Sequence, residues 1–319
     1  MTRVEAEYGV FLPFYAFKTR AEPASMFTHL RDTVKECEML GYDSVWLDDH
    51  LMFGKAPILE CWTTLSALAS VTSKIRIGTL VTSNAFRDPG LLAKMAATAD
   101  IVSTGRLEFG VGAGMQQEEH EAYGFPFFKP SARVERLRES LEIIKALWTQ
   151  ERTSYKGKYF QIRDAVCDPK PLQKPHPPIT IGGSGEKHML RVTAMHANCF
   201  DFGYLSTFEE YKHKVQVLRA QCEAIGRDFN VIKKSCWPAG QILIAETPEA
   251  VEEKIQKFKP EKMSQVDFQK SSFIGTPVQF KVKLQPFLDL GVTRVMLFFG
   301  DLPDLSGPRF FAEIMIEKQ

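Results

Sequence analysis

Three short segments of this chain combine residue types able to move protons, bind anions or lie close against a flat ring. Asp48, Asp49 and His50 follow the apolar run Val45-Trp46-Leu47 directly. A histidine titrates near neutrality and can donate a proton or a hydrogen bond to a bound ring, and an adjacent carboxylate can orient it. His50 and Asp49 are therefore the candidate catalytic pair; the competing reading is a surface loop or a cap. Gly182-Gly183-Ser184-Gly185-Glu186-Lys187 follows Ile179-Thr180-Ile181 and opens a helical pattern. Glycines let the backbone approach an anion, and free N–H groups at a helix start bind phosphate, with Lys187 and Arg191 as added charge. An ordinary turn needing small residues would read the same way. Gly110-Val111-Gly112-Ala113-Gly114 is a third thin-backbone stretch. It would admit a flat ring, or simply pack closely against a neighbouring strand.

Other chemistries fit poorly. The glycine spacing at 182–187 matches neither GxGxxG nor the Walker A pattern, which disfavours a Rossmann or nucleoside-triphosphate site. Glu118-Glu119-His120-Glu121 is dense in potential ligands, but there is no HExxH and no CxxC, and the other histidines are dispersed, so no metal is expected. The GxSxG elbow of a serine hydrolase is missing, and Glu22, Glu60 and Glu108 form no recognisable glycosidase pair. Forty Lys and Arg stand against 39 Asp and Glu in 319 residues, a net charge of +1. That leaves no basic field for nucleic acid. The six scattered cysteines read as reduced thiols of a cytoplasmic protein. The start lacks the apolar stretch of a signal peptide, and no run approaches the length of a membrane span.

The elements that must position these residues repeat one theme: a short apolar run, a small or polar loop, a helix. Strands are expected at Tyr8 to Leu12, Ser44 to Leu47, Ile75 to Gly78, Arg106 to Val111, Ile179 to Ile181, Ala197 to Phe202, within Val231 to Ala245, and at Arg294 to Phe298. Eight strands alternating with helices favour one α/β domain over residues 1–319, a closed (β/α)8 barrel rather than a doubly wound sheet. In such a barrel every strand end opens on one face, where sites are built. Segments 115–130, 151–178 and 259–275 read as insertions. The second holds a hairpin around Lys156-Gly157 and a proline-rich stretch without regular structure. The third is polar with no clear period.

Four segments carry a resemblance that covers nearly the whole chain: Ser44 to His50; Ile77 to Thr82 with Phe86 to Lys94; Gly105 to Gly114; and Pro178 to Gly185. Together with Phe299 to Asp304, they resemble the luciferase-like family of flavin- and deazaflavin-dependent oxidoreductases, and most of all its F420-dependent members. The resemblance implies a barrel with insertions and a cofactor, F420 or alternatively FMN, at the C-terminal mouth. By it, Asp49 and His50 lie near the redox ring. Leu80, Val81 and Thr82 form a strand-three bulge behind the ring, with a non-prolyl cis peptide at Leu80-Val81. Gly112, Ala113 and Gly114 border the ring, and Gly182, Gly183, Ser184, Gly185 and Lys187 hold the phosphate. Phe14, Phe53, Met115 and Tyr123 are assigned to the substrate pocket, with Trp46 and Trp62 as further aromatic candidates. Met115 departs from the pattern, because sugar-phosphate-oxidising relatives carry an acid directly after that glycine.

The expected reaction is hydride transfer between F420 and a small organic substrate, with His50 or an ordered water as proton source. The first rival is an FMN-dependent monooxygenase supplied with reduced flavin by a separate reductase. A non-catalytic cofactor-binding protein and an unrelated barrel enzyme are further rivals. The family often forms dimers, so a homodimer is expected.

Overall fold

The structure is a computed structural model that describes residues 6–17, 23–205, 207–260 and 263–316. Eight parallel strands close into a barrel in chain order: β1 (Glu7–Phe11), β2 (Ser44–Leu47), β3 (Arg76–Thr79), β4 (Leu107–Gly112), β5 (Ile179–Gly182), β6 (Cys199–Asp201), β7 (Lys233–Cys236) and β8 (Arg294–Leu297). Closure comes from β3 against β4, with Ile77 opposite Leu107 and Gly78 opposite Glu108. Helices cover the outside, so both faces of each strand are shielded from water. The strands accordingly read as continuous buried runs: all of β2 and all of β4 are buried. The expected strand positions hold to within about two residues at either end, the usual uncertainty of element boundaries.

Two elements of the insertions differ from expectation. Segment 259–275, read as aperiodic, contains a helix at Gln265–Ser271 and a strand at Ser272–Gly275; residues 261 and 262 lie outside the described residues. That strand pairs in parallel with Gln241–Ile244 in a separate two-stranded sheet beside the barrel. Pairing across 30 residues supplies the order that local pattern did not. The break at Pro238 and Gly240 thus separates β7 from a strand that leaves the barrel. The hairpin forms from Thr153–Lys156 and Gln161–Ala165, and the proline-rich stretch after it has no regular secondary structure.

The floor of the barrel, at the N-terminal strand ends, is a network of matched charges. Glu108 Oε1 accepts from Arg76 Nε at 2.5 Å and lies 3.1 Å from Arg294 Nη2. Glu7 takes Lys233 Nζ at 2.7 Å. The Arg294 guanidinium also lies over the Trp46 ring, 4.9 Å from its centroid. Trp46 is thus part of the floor packing rather than a pocket wall. Among the described residues, no helix is long and apolar enough to cross a membrane, and no group of three or more His, Cys, Asp or Glu is arranged to hold a metal.

Candidate functional site

At the opposite end of the barrel, the loop after β2 brings His50 into the mouth. Its Nδ1 lies 3.1 Å from Oε2 of Glu119, a buried carboxylate on the short helix Gln117–Ala122. The other oxygen of Glu119 accepts from the backbone N–H groups of Leu51 and, at 3.1 Å, Met52. A carboxylate accepts only, so Nδ1 of His50 carries the proton in this contact and Nε2 is left for the mouth. Glu119 thus pins both the imidazole and the loop that carries it. His50 remains 23% exposed, enough to meet a ligand.

Asp49 is turned elsewhere. Arg87 grips it in a two-pronged pair, Nη1 to Oδ2 at 2.6 Å and Nη2 to Oδ1 at 3.0 Å, and the Ser83 N–H donates to Oδ2 at 2.9 Å. Arg87 also reaches Glu60, whose carboxylate caps the helix Cys61–Ser70. Burial raises the pKa of Asp49, although Arg87 opposes it. This arrangement gives Asp49 a bracing part, tying β2 to the segment after β3. Asp48 points inward: the Phe14 N–H donates to its Oδ1 at 2.9 Å, while Oδ2 is buried and meets no hydrogen-bond partner.

The segment after β3 carries a cis peptide bond at Leu80-Val81. Val81 projects across the neighbouring strand ends. A Cβ added at Gly112 or at Gly182 would come within 2.7 Å of a Val81 methyl group. At both positions this contact alone disfavours any side chain larger than glycine's. The buried Thr82 hydroxyl donates to Thr79 Oγ1 at 2.9 Å and so faces inward.

Beside this bulge lies an open groove of about 360 Å³. Ala113, Gly114, Gly183, Ser184, Gly185 and Lys187 line it, and Arg133 adds a cation. Two helices begin on its wall, Pro130–Thr149 and Met189–His196, and neither start is closed by a side-chain cap. Uncapped helix starts leave N–H groups free and carry partial positive charge, so the groove suits an anionic group such as phosphate. Glu186 also borders it, but Lys214 at 2.6 Å and His213 at 3.1 Å hold its carboxylate. Arg133 Nη1 donates to the Gly114 carbonyl at 2.8 Å, and its guanidinium stacks 4.2 Å from the Phe127 ring centroid. Gly183, Ser184, Gly185, Lys187 and the two helix starts would suit the phosphate of a cofactor bound at this mouth.

The residues assigned to the substrate pocket separate. Phe14 is fully buried in the core, and Trp62 is buried there too. Phe53 is 39% exposed, 5.4 Å from the His50 ring, and stacks on Tyr15 at 5.1 Å. Tyr123 is exposed, and its hydroxyl donates to the Leu51 carbonyl at 3.1 Å, beside the His50 loop. Met115 projects into solvent, 77% exposed. Sequence reasoning did not pick out Tyr15, Arg87, Arg133 or the partnership of Glu119 with His50.

A family model described as luciferase-like monooxygenase matches residues 6–282. The chain belongs to the luciferase-like family. It is an enzyme family of oxidoreductases and monooxygenases, and this luciferase-like barrel shares its fold with solved members. The tetrahydromethanopterin reductase of Methanopyrus kandleri, which depends on coenzyme F420, superposes with a TM-score of 0.78 at 20% identity, over 98% of this chain and 99% of that one. A monooxygenase of Streptomyces bottropensis superposes with a TM-score of 0.77 at 18% identity, over 96% and 98%. At the sequence level, an F420-dependent glucose-6-phosphate dehydrogenase of Microbacterium testaceum is 39% identical over 154 residues, 46% of this chain and 44% of the relative. The chain spans about half the length of the curated relatives it matches.

Proposed function

We propose that this luciferase-like barrel is an F420-dependent oxidoreductase that passes hydride between the deazaflavin and a small organic substrate. The observation that carries this reading is the placement of a pinned, partly exposed imidazole, His50 on Glu119, at the same barrel mouth as the anion-suited groove. The bound cofactor would supply the hydride chemistry itself. The protein's part is to hold the phosphate at Gly183 to Lys187, back the ring with Leu80 and Val81, and move a proton at His50 Nε2. The exposed Phe53 and its stacking partner Tyr15 stand beside His50, which favours an apolar acceptor. Met115 in place of an acid argues against a sugar phosphate.

F420 rather than FMN is favoured by the sequence relatives that depend on it. The FMN-dependent monooxygenase reading has its own support in the family model's description and in the fold of solved monooxygenases; it requires a separate reductase. The reading places the enzyme in the cytoplasm as a homodimer.

Anaerobic fluorescence titration of the purified cofactor-free protein with F420 and, separately, with FMN tests the choice. Tight F420 binding with weak FMN binding is expected. The reverse result overturns the deazaflavin reading in favour of the monooxygenase, and binding of neither overturns the redox reading altogether.

A further inference from the structure

The C-terminal strand ends divide between two kinds of side chain. β4 and β5 run into the residues of the anion-suited groove. β2, β1, β8 and β7 are consecutive neighbours in the barrel, and their ends carry aromatic rings. Phe11 ends β1, and Tyr15 lies in the turn Phe14–Phe17 that follows it. Phe53 lies in the loop after β2, Phe298 directly after β8 and Trp237 directly after β7. The rings form one row. The His50 ring lies 5.4 Å from Phe53, and Phe53 stacks on Tyr15 at 5.1 Å. Tyr15 meets Phe298 edge to face at 6.2 Å, Phe298 meets Phe11 at 5.9 Å, and Phe11 meets Trp237 at 5.4 Å.

Exposure and charge set this row apart from both the core and the groove. Phe298 is buried, but Phe11, Tyr15 and Trp237 are half-buried and Phe53 is exposed. Open aromatic surface among a few fixed polar groups is the usual wall of a small-molecule site. Among the described residues, no Lys or Arg stacks on any of these rings. Asp201, at the end of β6 beside Trp237, has both oxygens occupied. Trp237 Nε1 donates to them at 2.9 and 3.1 Å, Ser235 Oγ at 2.7 Å and the Gly203 N–H at 2.8 Å. Tyr15 keeps its proton, pushed up to about 12 by burial and then by Asp48. The row therefore offers rings without a charge to spare.

We propose that this row is the acceptor subsite, and that it takes an uncharged aromatic molecule lying along Phe53, Tyr15 and Trp237 with its reactive end at His50. The inference deepens the oxidoreductase reading, on which it rests, by naming the substrate class. The mouth then has two halves of opposite chemistry: the groove beside β4 and β5 for an anion, and the row across β2, β1, β8 and β7 for a neutral ring. Ring pairs gain energy from face and edge contact beyond the area they bury, so the row distinguishes an aromatic ligand from a saturated one of the same size.

The test titrates cofactor-free, full-length protein with methyl naphthyl ketone in a calorimeter. Saturable binding is expected, unchanged by inorganic phosphate, which addresses the groove. The saturated counterpart, methyl decalinyl ketone, should bind about threefold to tenfold more weakly, the worth of one ring–ring contact. Phe53→Ser should weaken the naphthyl ketone by a similar factor, about threefold to tenfold. Trp237→Leu should do the same from the far end of the row, and the exposed Phe53 decides should that variant fail to fold. Absence of binding, displacement by phosphate, equal affinity for the saturated ketone, or affinity unmoved in Phe53→Ser overturns the proposal. Because no cofactor is present, a failure here leaves the F420 and FMN titrations to judge the redox reading on their own.

Discussion

The two ends of the barrel treat charge in opposite ways. At the floor, Glu7 and Glu108 face Lys233, Arg76 and Arg294, so each buried or half-buried anion has side-chain cations within contact distance. At the mouth, Asp48 has no cation, the groove's helix starts have no capping side chain, and Lys187 stands exposed. The floor sets protein cations against its anions, although Glu108 Oε2 and Arg294 Nη1 meet no hydrogen-bond partner, whereas the mouth leaves a buried anion with no side-chain cation in contact. Barrel enzymes keep stability at one end and chemistry at the other, and substitutions at the two ends should therefore fail in different ways.

The sharpest break of that comparison would come at Arg294. Arg294→Met leaves Glu108 in the floor with Arg76 as its remaining cation, and removes the stack on Trp46. Removing one partner of a buried ion pair typically costs about 3–5 kcal/mol. Urea unfolding should show a loss near the lower figure, since Arg76 stays, with F420 affinity unchanged in the protein that remains folded. A fall in affinity of more than threefold would mean that the floor and the mouth are not separable.

His50→Gln should do the reverse. The side chain is partly exposed and its loss opens no core cavity, so unfolding free energy should move by less than about 1 kcal/mol. Positioned acid–base groups contribute about 10²–10⁴-fold. Single-turnover oxidation of reduced cofactor should therefore slow by at least about 100-fold while cofactor binding persists. A variant with full turnover would return the proton to an ordered water.

Much of this contrast was legible in the sequence, and the rest was hidden for a definite reason. The Leu80-Val81 cis bond was implied by the family resemblance alone, whereas the barrel, the glycine-rich segment up to Lys187 and the His50 loop follow from local runs, because each depends on residues near one another in the chain. Partnerships do not. Glu119 lies 69 positions from His50 and Arg87 lies 38 from Asp49, and no spacing rule links residues that a closed barrel brings together. Hence Glu119 passed as part of an unused acidic run, and Asp49 as a catalytic neighbour of His50 rather than a brace. Phe14 shows the converse error: an aromatic beside a strand end is as often core as pocket, and only packing decides.

Asp48→Asn carries the comparison into pH dependence. The folded pKa of Asp48 is raised from 3.8 to about 6, so between those values the folded protein binds more protons than the unfolded chain. Stability from this group is therefore present below pH 4 and is lost as pH rises through 6. Asparagine keeps the acceptor for the Phe14 N–H but cannot ionise. The variant should be more stable than the parent at pH 8, by up to about 3 kcal/mol, and equal to it below about pH 4. A mouth residue whose removal stabilises the protein is the mark of a site held for function. Equal stability at every pH would place Asp48 with the matched charges of the floor.

The smallest effect is expected at Lys187, and it separates two ways of holding an anion. If backbone N–H groups and the two helix starts do most of the work, the exposed ammonium adds only a screened surface charge worth about 1 kcal/mol or less. Lys187→Ala should then weaken cofactor binding about threefold to fivefold at low salt. The difference should largely vanish at 1 M salt, where the screening length falls to about 3 Å. Arg133, tied to the Gly114 carbonyl, would remain in place. A loss of 100-fold that survives high salt would mean that the groove binds by side-chain charge, as the floor does, and the mouth would no longer differ from it in kind.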